Sequence, residues 1–176
     1  MKLLLLIGAA LASITGCKES SSPSGHTSES ALVQNMEESK EDRNKQIALL
    51  CIKSWSTGNI DEIVKHLAPN TVDYGDGSTP PARGIDTVKS FMDLWRFSVD
   101  EYKSANELAV ADSDYVFIYA DWMGRFKSDF MGMKTAGKSF NFKDVDIFKF
   151  NDEGKITEHR AVLFSTMLKD LATRPK

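Results

Sequence analysis

The feature that most constrains the fold is a succession of three long β-strand patterns in the second half of the chain. They are YVFIYADWMGRF (residues 115–126), SFNFKDVDIFKF (residues 139–150) and KITEHRAVLF (residues 155–164). Each is rich in the aromatic and β-branched residues that favour strands. The short links between them contain glycine and asparagine, which are typical of turns. Because parallel neighbours need long crossover connections, three strands in direct succession predict an antiparallel sheet.

Three helical patterns precede these strands. The first begins near Ala31 and ends at Gly58, the second starts at an Asn59 cap with Glu62 completing a capping box, and the third begins at Ile85. Helices followed by strands, without regular alternation, indicate an α+β fold. We expect a cone-shaped barrel, in which a curved, mostly antiparallel sheet packs on three N-terminal helices and leaves a pocket at its wide end.

Composition excludes one class of partner. The 176 residues include 22 Lys and Arg against 25 Asp and Glu, which gives a formal net charge of −3. Nucleic-acid binding requires a dense basic face, and no basic run here exceeds two residues. We therefore expect no nucleic-acid partner.

The N-terminus predicts export and lipidation. A basic start is followed by 12 apolar residues from Leu3 to Ile14, too few for the roughly 20 that a transmembrane helix needs. Residues Ile14-Thr15-Gly16-Cys17 resemble the bacterial lipobox, in which the cysteine thiol is alkylated with diacylglycerol and the peptide is cleaved just before it. The alternative is an ordinary secretory signal with a cysteine nearby by chance.

This N-terminus divides the chain into three parts. Residues 1–16 are the expected lipoprotein signal peptide, residues 17–30 a lipidated Ser-rich tether, and residues 31–176 the folded domain. Two or three acyl chains on Cys17 would anchor the protein stably to a membrane of the bacterial cell envelope. Cys51 is then the one remaining thiol, and its place in an apolar helix stripe favours a buried hydrophobic role over a nucleophilic one.

Several segments together resemble a known fold family. They are NIDEIVKHLAPNTVDYGDG, PARGIDTVKSFMDLW, DYVFIYADWMGRFKSDFMGMKTAGKSF and DVDIFKFNDEGKITEHRAV. In this order they resemble the nuclear transport factor 2-like superfamily, and within it the SnoaL-like polyketide or ester cyclases, over about residues 44–171. The superfamily also includes domains that only bind or pair.

The resemblance implies a pocket that needs neither metal nor cofactor. SnoaL-like cyclases close a ring by an intramolecular aldol reaction, for which a carboxyl group in an apolar pocket removes a proton next to a carbonyl. In the family this group is an aspartate that follows a Glu-x-Trp-type run on the last strand. Here the acid position is Phe164 and the tryptophan position is Arg160. This departure favours a domain that is not catalytic.

Four other residues are candidates for an acid–base role: Asp146, Glu158, His66 and His159. Glu158 and Arg160 share one parity of the last strand, and His159 has the other. If Glu158 and Arg160 face the pocket, they form a buried pair that keeps Glu158 ionised, and His159 points to the convex face or to a partner. We prefer this structural pairing to a catalytic Glu158, and a helix-end position to a pocket role for His66.

Asp144 and Asp146 allow two interpretations. They share the parity of Phe142 and Phe148, so both carboxylates could lie on one face of the sheet, raise one another's pKa and act as acid and base. Alternatively, a β-bulge switches the parity and leaves the aspartates on the solvated face. The second interpretation is the one we prefer from the sequence.

Aromatic residues supply both the pocket and a second apolar face. The expected pocket-lining side chains are Tyr74, Trp95, Trp122, Phe140, Arg160 and Phe164. In the strand pattern that begins at residue 115, one face carries Tyr115, Phe117 and Tyr119. The other face carries Val116, Ile118 and Trp122, so both faces of that strand are apolar. Because a small domain rarely exposes such a face, we expect a homodimer through the sheets.

Two classes of function follow. The first is an envelope-anchored lipoprotein whose domain binds a small apolar ligand or a partner without catalysis. The second is a cofactor-independent isomerase, cyclase or hydrolase that acts on a small apolar carbonyl compound with Asp146, Glu158 or His66. The missing family acid and the tether favour the first.

Overall fold

The computed structural model describes residues 38–175. Its helices are α1 (Lys40–Thr57), α2 (Ile60–Lys65), α3 (Ile85–Ser98) and α4 (Phe164–Thr173). Its strands are β1 (Leu67–Asp73), β2 (Ala82–Arg83), β3 (Val99–Asp112), β4 (Tyr115–Phe126), β5 (Ser139–Phe150) and β6 (Ile156–Ala161). The expected signal peptide, Cys17 lipidation and tether lie outside the described residues. Between residues 38 and 175, no helix is both long enough and apolar enough to cross a membrane.

The α+β prediction is confirmed. The six strands form one sheet in the order β2-β1-β6-β5-β4-β3, and all neighbouring pairs are antiparallel except the parallel pair β1 and β6. The sheet is curved, although in the described part of the chain it does not close into a barrel. Helix α1 packs on β3 and β4 and helix α3 on β1, so the helices and the sheet enclose the core.

The helix ends are set by local backbone chemistry. The Ser39 side chain accepts a hydrogen bond from the backbone N–H of Asp42 at the start of α1, and Gly58, with φ 72°, ends it. The expected capping box at Asn59 does not form. Asn59 has φ −85° and ψ 69° and makes no side-chain cap hydrogen bond, while Glu62 pairs with Lys65 at 2.6 Å.

The alternation of β4 follows the sequence pattern. Val116, Ile118 and Trp122 are buried on the concave side, and Tyr115 and Phe117 are exposed on the convex side. Because β4 and β5 pair in one continuous register, the same alternation extends into β5.

Two strands depart from simple alternation. In β3, Glu101 and Asn106 adopt φ values of 54° and 56°, and the register with β4 shifts twice. The first half of the strand therefore lacks the regular alternation by which a strand is recognised in a sequence. In β6, Lys149 of β5 pairs with Glu158 whereas the adjacent Phe150 pairs with Ile156. Thr157 is therefore the extra residue of a β-bulge. Strand β6 ends at Ala161, three residues before the predicted end at Phe164.

Candidate functional site

A cavity of about 80 Å³ lies against the concave face of the sheet, beneath helices α1 and α3. Its apolar walls include Trp95, Tyr102, Trp122, Phe142 and Phe164. Its polar residues are Asp73, Asp144, Asp146 and His159. The site thus combines aromatic surfaces with three carboxyl groups and one imidazole.

Strand β5 brings two of the carboxyl groups to the cavity. Asp144 and Asp146 are 3% and 7% exposed, and they lie opposite Ala120 and Ile118 of β4 in an unbroken register. The preference for a solvated position was therefore wrong. No bulge changes the parity along β5 in this part of the chain.

Strand β6 brings His159 to the same face because of the bulge at Thr157. The expectation that His159 points away from the pocket was wrong for this reason. The predicted pair of Glu158 with Arg160 does not form: Glu158 pairs with Lys149 at 3.2 Å, and the Arg160 guanidinium lies 4.0 Å from the centre of the half-buried Tyr74 ring.

The His159 ring is held between two carboxylates. Its Nδ1 lies 3.2 Å from Oδ2 of Asp73, which the parallel pairing of β1 with β6 places beside it. Its Nε2 lies 3.1 Å from Oδ1 of Asp146. Burial alone would lower the pKa of His159, but these two carboxylates raise it to about 10. The ring is therefore an imidazolium at neutral pH, with both N–H groups donated to carboxylates.

Asp73 completes this ion cluster. Burial opposes its ionisation, but the charge and hydrogen bond of His159 and a hydrogen bond from the Gly75 N–H at 2.8 Å lower the pKa of Asp73 overall. The two negative charges of Asp73 and Asp146 exceed the single positive charge of His159. Nearby acidic groups are consequently harder to ionise.

Asp144 is the group that this environment affects most usefully. Burial raises the pKa of its carboxyl group to about 6; hydrogen bonds from the Leu163 and Val145 N–H groups oppose the rise, and the charge of Asp146 adds to it. Both hydrogen bonds use Oδ1, at 2.8 and 2.7 Å. Among the described residues Oδ2 has no hydrogen-bond donor, so it can exchange a proton with a bound molecule.

Tyr102 is a pocket residue that the sequence analysis missed. Its ring stacks on Trp122 with centroids 5.2 Å apart, and burial raises the pKa of its phenol well above the ordinary value. The hydroxyl therefore stays protonated and can donate a hydrogen bond. The irregular register of β3 hid Tyr102, and Asp73 was missed because its role depends on the non-local pairing of β1 with β6.

The remaining candidates lie elsewhere. His66 is at the end of α2, with Nε2 3.6 Å from Glu62, and does not line the cavity. Phe140 packs in a second core cluster around Trp95. Cys51 is buried, as expected, and burial raises the pKa of its thiol to about 12, which disfavours the thiolate. Within residues 38–175, no group of three or more His, Cys, Asp and Glu residues could hold a metal ion.

The sequence matches the family model described as SnoaL-like polyketide cyclase over residues 45–167. Comparison with curated proteins gives no match.

Solved structures give a consistent likeness. A protein from Jannaschia sp. CCS1, provisionally named a SnoaL-like polyketide cyclase, has 20% identity and a TM-score of 0.66, covering 77% of this chain and 95% of its own. A provisionally named polyketide cyclase from Xanthomonas campestris pv. campestris has 17% identity and a TM-score of 0.64, covering 73% of this chain and 97% of its own. AclR of Streptomyces galilaeus, provisionally named a hydroxylase, has 22% identity and a TM-score of 0.62, covering 77% of this chain and 89% of its own. At these identities the likeness shows the fold alone.

Proposed function

Because the chain belongs to the SnoaL-like polyketide cyclase family, we propose that the concave cavity is a cofactor-independent active site for a small, mainly apolar carbonyl compound. In this proposal the Asp144 carboxyl group moves the proton. The observation that carries it is the buried Asp144 side chain, whose pKa is raised to about 6 and whose Oδ2 is available within an aromatic cavity. A carboxyl group with a pKa near the working pH is suited to both accept and return a proton.

Asp144, Tyr102 and His159 have different roles in the proposed proton transfer. At neutral pH most Asp144 side chains are ionised, so the carboxylate can take a proton from a carbon next to the carbonyl. The negative charge then develops on the carbonyl oxygen, to which the Tyr102 hydroxyl can donate. His159 has no free N–H, so it acts through its charge and by fixing Asp73 and Asp146. Asp144 returns the proton at another position, or after ring closure.

Isomerase, cyclase and hydrolase chemistry all need a base that removes a proton. In the first two Asp144 takes the proton from carbon, and in a hydrolase it takes the proton from an attacking water. The sequence alone favours a domain without catalysis. We rank the catalytic function above binding alone, because Asp144 is at a position suited to the acid–base role that Phe164 cannot fill.

Hydrogen–deuterium exchange tests the proposal without knowledge of the natural substrate. The purified full chain in D₂O should accelerate exchange at the carbon next to the carbonyl in some members of a panel of small alkyl and aryl ketones. We expect Asp144→Asn to lower the rate by about 100-fold or more, the usual contribution of a positioned base. The matched control, Asp86→Asn on the exposed start of α3, should retain the rate. An unchanged rate in Asp144→Asn would contradict the proposal.

A second candidate function is ligand binding without turnover. The specific observation in its favour is Phe164, an aromatic residue at the position of the family's acid. Under this alternative, ketones bind in the cavity but neither the natural protein nor Asp144→Asn accelerates exchange.

We also propose that the chain is a lipoprotein of the bacterial cell envelope, anchored through Cys17. The support is the lipobox-like Ile14-Thr15-Gly16-Cys17 after a short apolar segment. In a bacterial host, the full chain should incorporate labelled palmitate and partition into detergent, and Cys17→Ser should do neither. Labelling that persists in Cys17→Ser would exclude this site.

A homodimer through the convex face of the sheet is our proposal for the partner. Large apolar side chains form a continuous patch there, from paired positions of β3 and β4: Leu108, Val110, Tyr115, Phe117 and Tyr119. Salt bridges border this convex patch, Lys143 with Asp121 beside Tyr119, and Lys149 with Glu158 beside Tyr115. An apolar centre with a rim of both charge signs is self-complementary, which favours a second copy of this chain.

A further inference from the structure

A second open space lies next to the concave cavity. A groove of about 280 Å³ lies between the loop that follows β1 and the first turns of α4, and its walls include Thr79, Met131, Met133, Leu168 and Lys169. The inner cavity and this outer groove share four lining residues: Asp73, Gly75, Phe91 and Phe164. The two spaces are therefore separated by little more than side chains.

The inner cavity alone is too small for an organic substrate that contains a ring. Its volume is about 80 Å³. An engineered protein cavity that binds benzene has about 150 Å³. Ligand pockets usually have roughly 300–1,000 Å³, a range that the inner cavity reaches only when it is joined to the outer groove. A ring-containing molecule that reaches Asp144 must consequently occupy both spaces.

Phe164 is the side chain best placed to separate them. It is half-buried, and the centroid of its ring lies 5.2 Å from that of Trp95 and 6.4 Å from that of Phe91. It is the first residue of α4, and the two residues before it are exposed. A rotation of this one side chain at the start of a helix would join the spaces without moving the sheet.

The backbone on both sides of Phe164 is fixed. The Leu163 N–H donates to Oδ1 of Asp144 at 2.8 Å, and the Ser165 N–H donates to Oδ2 of Asp76 at 3.0 Å. The Ser165 hydroxyl also lies 2.7 Å from that of Ser78 in the loop after β1. Because these bonds hold the main chain, the opening is a side-chain event.

We propose that the inner cavity and the outer groove form one binding site for an elongated, mainly apolar carbonyl compound, and that Phe164 is the residue that determines its size. The compound has the dimensions of two fused rings or more, with its carbonyl end towards Asp144 and its arm between Met131, Met133 and Leu168. The identity of the reacting end rests on the proposed function, whereas the size and the path of the ligand do not.

Binding of a fused two-ring ketone tests this inference. The probe is 6-propionyl-2-(dimethylamino)naphthalene, whose fluorescence reports its transfer from water into apolar surroundings, titrated into the full chain. Phe164→Ala should lower its Kd by about tenfold, because the ring no longer has to be displaced. Phe164→Leu, which keeps apolar packing and guards against a folding defect, should shift the Kd in the same direction. Phe97→Ala, at a side chain 68% exposed and outside both spaces, is the matched control and should leave the Kd unchanged.

A second substitution tests the path. Thr79→Trp places a large side chain in the outer groove from an exposed position. Combined with Phe164→Ala, it should reverse the gain in affinity. A Kd for both Phe164 variants that is equal to or higher than that of the natural protein, or a gain that survives Thr79→Trp, would overturn the inference. The readout is binding, so it is independent of whether Asp144 catalyses proton transfer.

Discussion

Asp144 is where the requirements of folding and of chemistry conflict. A buried carboxylate without full compensation destabilises the folded state, and the surplus negative charge of the Asp73, Asp146 and His159 cluster adds to that cost. Two backbone N–H groups offset only part of it through Oδ1. A group that is kept ionisable at an energetic cost is typical of an active site rather than of a structural ion pair.

This conflict predicts a variant that is more stable and less active. The pKa of Asp144 is about 6 in the folded state, above its value in the unfolded chain, so its stabilising contribution is present below about pH 4 and is lost as the pH rises through 6. Asp144→Asn removes the ionisation and keeps an acceptor for the Leu163 N–H. At pH 8 we expect its free energy of unfolding to exceed that of the natural protein by about 1–3 kcal/mol, and at pH 4 by much less.

Urea unfolding at the two pH values measures this difference. The exposed control Asp86→Asn should show no comparable gain at pH 8. Equal or lower stability of Asp144→Asn at pH 8 would mean that burial does not strain the carboxylate.

At the scale of the elements, the sequence predicts what is local and periodic. The order of helices and strands, the alternation of β4 and the burial of Cys51 follow from patterns of a few residues. The site itself depends on two features without such a signal. One is the bulge at Thr157, which turns His159 to the concave face, and the other is the parallel pairing that places Asp73 next to it. A single inserted residue in a ladder reverses the parity of everything beyond it, so a strict period-2 reading assigned Glu158 to the pocket instead of His159.

Close contact between β4 and β5 gives a prediction for Gly124. A Cβ built there would lie 2.6 Å from Cζ of Phe140 and 2.9 Å from Cγ1 of Val99. Gly124→Ala should therefore destabilise the domain by about 1–3 kcal/mol, the usual cost of overpacking a core. The smaller Leu at position 140 should recover part of this loss in the double variant Gly124→Ala with Phe140→Leu. Thermal unfolding measures the stability of the single and double variants. If the losses of the two single variants simply add in the double variant, the contact with Phe140 does not limit the side-chain size at position 124.

At the scale of the whole molecule, two faces of one sheet have different tasks. The concave face holds the candidate active site, and the convex face carries the apolar patch of β3 and β4. If the patch binds a second copy, the two concave sites face away from each other and each stays accessible. A lipid anchor on Cys17 would then attach such a dimer to the membrane at two points, which strengthens the attachment.

The dimer proposal predicts a difference between two matched charge substitutions. Phe117 at the centre of the convex patch is 40% exposed, and Leu50 on α1 is 39% exposed. Phe117→Glu should shift the full chain in detergent from dimer to monomer in sedimentation velocity, because it buries a charge in the interface. Leu50→Glu should leave the dimer intact. A natural protein that sediments as a monomer at micromolar concentration would refute the dimer.

The most direct test of the central claim is a titration of the Asp144 side chain by ¹³C NMR, with the carboxyl resonance assigned by comparison with Asp144→Asn. We expect a midpoint near pH 6, because burial and the charge of Asp146 hold the proton on this group. Asp146→Asn should lower that midpoint. A midpoint at or below about 4, the ordinary value for an aspartate, would mean that Asp144 is not tuned for proton transfer at neutral pH and would contradict the proposed active site.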